Sequence, residues 1–199
     1  MPLDVIRQRA DKYRSHHWDG NFPIDIEKII EFELNIEIIP EHGLYSTFHT
    51  NAYLSVDCKQ IRIDFQHYWN PQTRRPMRFS LAHEIGHLVL HSDIIPTIRP
   101  TTVEDWKNMR MTIPDKEYDF LELHAYEFAG RFLVPKEKLI TEVRRHCDDI
   151  KKIYDAYPDI GDDAVISGVA NKVCKFFDVS HNVISRRIKF EKIWEEIDD

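Results

Sequence analysis

Cysteine is scarce in this chain of 199 residues: Cys58, Cys147 and Cys174 make an odd number at wide spacing, with no Cys-x-x-Cys pair. That excludes a disulfide framework and a cysteine zinc site, and predicts free thiols. Long apolar runs are missing too. No stretch approaches the roughly 18 apolar residues of a membrane span. The opening Met1-Pro2-Leu3-Asp4-Val5-Ile6-Arg7 also lacks the apolar centre of a secretory signal, so a cytoplasmic protein without a membrane partner is expected. Positive charge is not in surplus. With 27 Lys and Arg against 34 Asp and Glu, the net charge of −7 argues against a surface built as a whole for nucleic acid. Internal repeats and low-complexity tracts are absent as well. What remains is a soluble composition, 42% hydrophobic and 31% charged, at a length suited to one domain with a small helical appendage.

Against that background stands His83-Glu84-Ile85-Gly86-His87. On an α-helix, residues i and i+4 share a face, so both imidazoles reach one metal ion while Glu84 projects beside it without having to bind it. This is the layout of a zinc hydrolase, which needs neutral nitrogen ligands, an open position for water and a nearby carboxylate to take a proton. With 11 His in the chain, such a pattern arises by chance about 0.05 times, so its context has to decide. Phe79, Leu81, Ala82, Leu88, Val89 and Leu90 surround it with helix formers and apolar residues, as a buried active-site helix requires. Gly86 inside that helix costs about 1 kcal/mol relative to Ala, which a close approach of another backbone or of substrate would explain.

Periodicity places the motif in an α+β frame. Leu3 to Trp18 reads as a helix ended near Asp19-Gly20, and Pro23 and Asp25 open a short second helix with Ile26, Ile29 and Ile30 on one face. Asn35 to Ile39 alternates as a strand that Pro40 is expected to stop. Ala52–Val56 and Gln60–Asp64 form a hairpin about Asp57-Cys58-Lys59. The motif helix is expected from Pro76 to His91. Ser92 to Asp115 reads as a long connection with one helical turn near Val103 to Met109, placed to flank a substrate cleft. Helices then follow over Lys116–Leu133, Pro135–Tyr157, Asp162–Phe177 and Ser180–Glu196. The expected organisation is a core over residues 1–135 and a helical C-terminal subdomain over residues 136–199, packed on that core.

A catalytic zinc site takes three protein ligands, so one must come from outside the motif. His91 continues the row, yet it lies about 12 Å along the axis from His83, too far for both to bind one ion. A polar role at the helix end is expected for it. Glu122 lies on a separate helix beside the stripe Leu121, Ala125, Phe128 and Phe132, where a metal-bound carboxylate would be stabilised; an exposed helix glutamate is the other reading. His124, two residues on, should face elsewhere and is left outside the metal shell. His16, His17, His42, His49 and His67 have no ligand spacing and read as surface or loop residues.

Two blocks, Arg78-Phe79-Ser80-Leu81-Ala82-His83-Glu84-Ile85-Gly86-His87-Leu88-Val89-Leu90-His91 and Glu122-Leu123-His124-Ala125-Tyr126-Glu127-Phe128-Ala129-Gly130-Arg131-Phe132-Leu133-Val134-Pro135, resemble the signature blocks of the ImmA/IrrE-type metallopeptidases. The resemblance spans about Pro23 to Pro135, more weakly the C-terminal helices. It implies a zincin-like, thermolysin-like minimal peptidase domain that is cytoplasmic and uses Zn²⁺, and that typically cleaves a helix-turn-helix repressor encoded by bacteria, phages or mobile elements. It also implies His83, His87 and Glu122 as zinc ligands and Glu84 as the catalytic glutamate. The family often places Asp or Asn four residues beyond the glutamate ligand, where it orients a ligand histidine. This chain has Tyr126 there, a residue able to polarise a substrate carbonyl.

The C-terminal segment, with Val169, Ala170 and Val173 on one helix, a corner at Asp178-Val179-Ser180, and Val183, Ile184 and Ile188 on the next, resembles a helix-turn-helix. From Ala164 to Lys192 it carries Lys172, Lys175, Arg186, Arg187, Lys189 and Lys192 against Asp178 and Glu191. A structural or partner-docking role is expected ahead of DNA contact. The rival to a peptidase is a non-catalytic, metal-binding regulator that acts by protein or DNA binding through these helices.

Overall fold

The computed structural model describes residues 1–95 and 115–197, so the helical turn expected near Val103 to Met109 lies outside the described residues. Two compact units divide the chain, one over 1–21 and 25–132, the other over 22–24 and 133–199. No helix among the described residues is long and apolar enough to cross a membrane.

The first unit opens with α1 (Leu3–His17), which buries Ile6 and Ala10. Asp25 caps α2 (Ile26–Lys28) by accepting from the Lys28 N–H, and α2 runs on into a π-helical turn, Ile29–Glu33. The sheet has three strands in the order β1 (Glu37–Glu41), β3 (Gln60–Asp64), β2 (Ala52–Leu54). β1 runs parallel to β3, with Ile38 opposite Ile61. β2 runs antiparallel, with Leu54 opposite Ile61 and Ala52 opposite Ile63. Pro40 does not stop β1 but lies within it, opposite Ile63. β1 is an edge strand, so one of its sides has no ladder to feed and a residue without an N–H is tolerated. Two short helices that periodicity did not reveal, α3 (Leu44–Phe48) and α4 (Phe65–Trp69), flank the sheet. Asp64 ties them together: its carboxylate accepts from the Tyr45 N–H at 2.9 Å and the His67 N–H at 3.0 Å.

α5 (Arg74–His91) carries the motif, with Pro76 in its permissive first turn. It packs against β2, α1, α2 and α4. Leu81, Ala82 and Ile85 are fully buried on its core side; burying a leucine or isoleucine side chain contributes about 1.5–3 kcal/mol. α6 (Asp115–Leu133) buries Ala125, Phe128, Ala129 and Phe132. The Phe128 and Phe132 rings stack at 5.9 Å, and Tyr13 from α1 meets both. Partly buried ion pairs fasten α1 to α6. Asp11 accepts from Arg131 Nε at 2.8 Å and Nη2 at 2.6 Å and from Arg14 at 2.7 Å, while Arg7 donates to Glu127 at 2.6 Å.

The second unit is helical: α7 (Lys136–Arg144), α8 (Cys147–Ala156), α9 (Asp162–Phe177) and α10 (His181–Phe190), then a 3₁₀ turn, Ile193–Glu196. The single helix expected from Pro135 to Tyr157 is two, because His146 leaves helical backbone (φ −109°, ψ 7°) and Asp148 and Asp149 then suit a new N-terminus. The last helix ends at Phe190 rather than Glu196, since Lys192 adopts a left-handed φ of +54°. α9 and α10 meet at the expected corner, where Asp178 is left-handed at φ +50°. Phe22 packs its ring edge against Phe177, which explains why residues 22–24 belong with this unit.

Candidate metal centre

α5 and α6 approach unusually closely beside the motif, and glycine makes this possible. A Cβ on Gly86 would lie 3.0 Å from both Cα and the carbonyl oxygen of Ala125, and 3.3 Å from Phe128 Cβ. The close backbone approach expected at this glycine is thus to α6, and it brings the turn of α6 that carries Glu122 over the histidines of α5.

Four polar atoms from three side chains converge there. Nε2 of His83 and Nε2 of His87 are 3.0 Å apart; Glu122 places Oε2 3.1 Å from the first and Oε1 3.3 Å from the second. Four tetrahedral ligands at the usual 2.0–2.1 Å from an ion lie about 3.3 Å from one another, so this donor set fits a cation of zinc size. His87 is almost fully buried, with 1% of its side chain exposed. Glu122 at 35% leaves one side of the cluster open to water. Burial alone would raise the Glu122 carboxyl, but hydrogen bonds and charge interactions with His83 and His87 outweigh it and hold the group well below the ordinary carboxylate range. The sequence-predicted ligands therefore meet in space, although 35 residues separate His87 from Glu122 along the chain.

Glu84 points to the same place without joining the triad. It is buried, and its Oε2 accepts the backbone N–H of Leu54 on β2 at 2.7 Å. Potential ligand atoms of His83, Glu84 and His87 all lie within 4.8 Å of one another. A sheet edge thus fixes the carboxylate within one water's reach of the cluster, the geometry asked of a general base. Tyr126 is itself exposed, its ring 4.6 Å from Phe79 and edge-on to His83 at 6.5 Å.

Sequence reasoning missed what lies behind His87. His91, expected to take a polar role at the helix end, is buried there, with Nδ1 3.1 Å from Nδ1 of His87 and Nε2 3.4 Å from Nδ1 of His124. Burial holds the His124 imidazole below its usual range, the charge of the Met1 terminal amine, 3.2 Å from its Nε2, adding to it. The available signal was His91 continuing the i, i+4 row, together with a buried position for His124 next to Ala125.

In the second unit the basic side chains singled out near the helix-turn-helix are largely engaged within the fold. Lys172 pairs with Asp149 and Lys189 with Asp163; Arg187 is buried, donates to the Val134 carbonyl and pairs with Glu191; Arg186 lies over the Phe190 ring.

The sequence model described as the IrrE N-terminal-like domain, Peptidase_M78, matches residues 59–189, about two thirds of the chain. The match runs from just before β3 through the site and into α10, further towards the C-terminus than the two signature blocks. No curated protein matches the sequence significantly.

Proposed function

We infer the function from a chain that belongs to the IrrE N-terminal-like domain family of M78 metallopeptidases, and propose that it is a zinc-dependent endopeptidase. The observation that carries this reading is the convergence of His83 Nε2, His87 Nε2 and the Glu122 carboxylate at 3.0–3.3 Å, with Glu84 fixed beside them. His83, His87 and Glu122 would hold the ion. Bound by these residues, zinc would supply Lewis acidity to a carbonyl or a water.

The rest falls to the chain's own groups. Glu84 takes the proton of the attacking water and passes it to the leaving amine, a role suited to a carboxylate held at Oε2 by the Leu54 N–H. The exposed face of the cluster, bordered by Tyr126, is where a peptide carbonyl is received, and the Tyr126 hydroxyl is our nominee for a donor to the developing oxyanion. For substrate we propose a helix-turn-helix transcriptional repressor, whose cleavage would relieve repression. The support is the likeness of the two signature blocks to peptidases with that role.

Glu84→Gln separates this reading from a regulator that binds metal but cuts nothing. The variant should keep its fold and zinc while losing at least about a hundredfold in cleavage rate, the scale of a general acid–base contribution. Zinc-loaded protein incubated with repressors encoded near it, read by intact mass, supplies the assay. A wild-type protein that cuts none of them, with a cellular effect unchanged by Glu84→Gln, would favour the regulator.

A further inference from the structure

A neutral imidazole carries one proton, so a nitrogen that holds a cation sends the proton to the other, and that proton needs an acceptor when the ring is buried. His87 turns Nε2 to His83 and Glu122, which places its Nδ1 against Nδ1 of His91 at 3.1 Å. His91 in turn directs Nε2 at Nδ1 of His124, 3.4 Å away, and all three side chains are buried. We propose that His91, backed by His124, is the positioning residue that fixes the tautomer and ring orientation of the ligand His87. This rests on the metal reading of the site.

One proton assignment satisfies the contact between His87 and His91. With His87 Nε2 turned to the ion, its Nδ1–H donates to the Nδ1 lone pair of His91; the His91 proton then sits on Nε2, towards Nδ1 of His124, whose own Nε2 lies 3.2 Å from the Met1 amine. The opposite tautomer of His91 would set two N–H groups facing each other at 3.1 Å. The position four residues after Glu122, from which the family's Asp or Asn would orient a histidine, carries a tyrosine that stands edge-on to His83. His87 instead finds its orienting acceptor on its own helix, one turn further on.

The test reads zinc affinity of apoprotein by competition with a chromophoric chelator, alongside the visible spectrum of the cobalt(II)-loaded form. Asn at position 91 can place its side-chain oxygen near the site of Nδ1, whereas Gln reaches further, towards the site of Nε2. His91→Asn should therefore keep zinc affinity within about threefold of wild type and preserve the cobalt spectrum. His91→Gln should weaken binding by about 10–100-fold, as loss of an orienting partner does. His124→Phe, which keeps a ring but removes the nitrogen facing His91, gives a second reading and should weaken binding less. Equal affinities for His91→Asn and His91→Gln, whether both intact or both reduced, would mean that His91 only fills space and would overturn the proposal. Failure of the wild-type protein to bind zinc is a separate outcome that removes the metal reading itself, and the proposal with it.

Discussion

Helices α5 and α9 are similar in length, at 18 and 16 residues, yet they bury different chemistry. α9 hides Val165, Ile166, Val169, Ala170, Val173, Cys174 and Phe177, an apolar set at helical spacing that packs because water is expelled. α5 hides Leu81, Ala82 and Ile85, but also Arg78, Glu84, His87 and His91. Burying polar groups costs free energy unless each finds a partner, so a helix that does this repeatedly needs partners from elsewhere: Leu54 for Glu84, Glu122 for His87, His124 for His91. The departure from simple amphipathic patterning marks the helix that carries the site.

The largest expected effect follows from that contrast. His83→Ala, His87→Ala and Glu122→Ala should each lower zinc affinity on the order of a hundredfold or more, since a three-ligand site loses a ligand. Lys172→Ala on α9 breaks only a half-exposed pair with Asp149 and should leave zinc binding unchanged. Elemental analysis of the purified variants checks this, and full zinc retention by Glu122→Ala would remove the third ligand from the assignment.

The same contrast explains what could be read from the sequence. α9 was legible to its ends, Asp162 and Phe177, because period and burial agree there. The α5 motif was legible by spacing alone, and the place of Glu122 by its block. The row behind His87 was not, because histidine spacing carries no information about which rings a second helix will bring against them. The break at Arg145-His146 and the passage of β1 through Pro40 were misread for another reason: both depend on local backbone and on which strand lies at the edge, and hydrophobic period reports neither.

Electrostatic ties should rank next. Asp11 serves two guanidiniums whose side chains are only 8% and 9% exposed, and its loss leaves both short of an acceptor. Asp11→Asn should destabilise the first unit by about 2 kcal/mol in denaturant unfolding, below the range for a fully buried pair because Asp11 is itself 32% exposed. Burial pushes the Asp11 carboxyl up, but hydrogen bonds and charge from Arg131 and Arg14 win and hold it below its ordinary value. A carboxylate with a depressed folded pKa contributes stability that is present above the unfolded value near 3.9 and is lost as pH falls through the folded one. Stability should therefore drop below about pH 4, and less steeply in Asp11→Asn. An identical acid slope in the two proteins would count against the tie.

The smallest effects come from one substitution made twice, and they test the contrast most directly. Glycine to alanine within a helix gains about 1 kcal/mol wherever space allows. Gly168 on α9 is exposed, and an added Cβ meets nothing within 4 Å, so Gly168→Ala should raise stability by up to about 1 kcal/mol and leave zinc affinity alone. On α5, the Cβ of Gly86→Ala would press on the Ala125 backbone at 3.0 Å, and overpacking of that kind costs about 1–3 kcal/mol, enough to cancel or reverse the gain. Its more telling consequence is positional. α6 must yield to make room, and Glu122, one turn before Ala125, moves away from His83 and His87, so zinc affinity should fall even where thermal unfolding of the apoprotein barely changes. If Gly86→Ala and Gly168→Ala both stabilised the protein and both kept zinc, the close approach of α5 and α6 would not be what sets the ligand geometry.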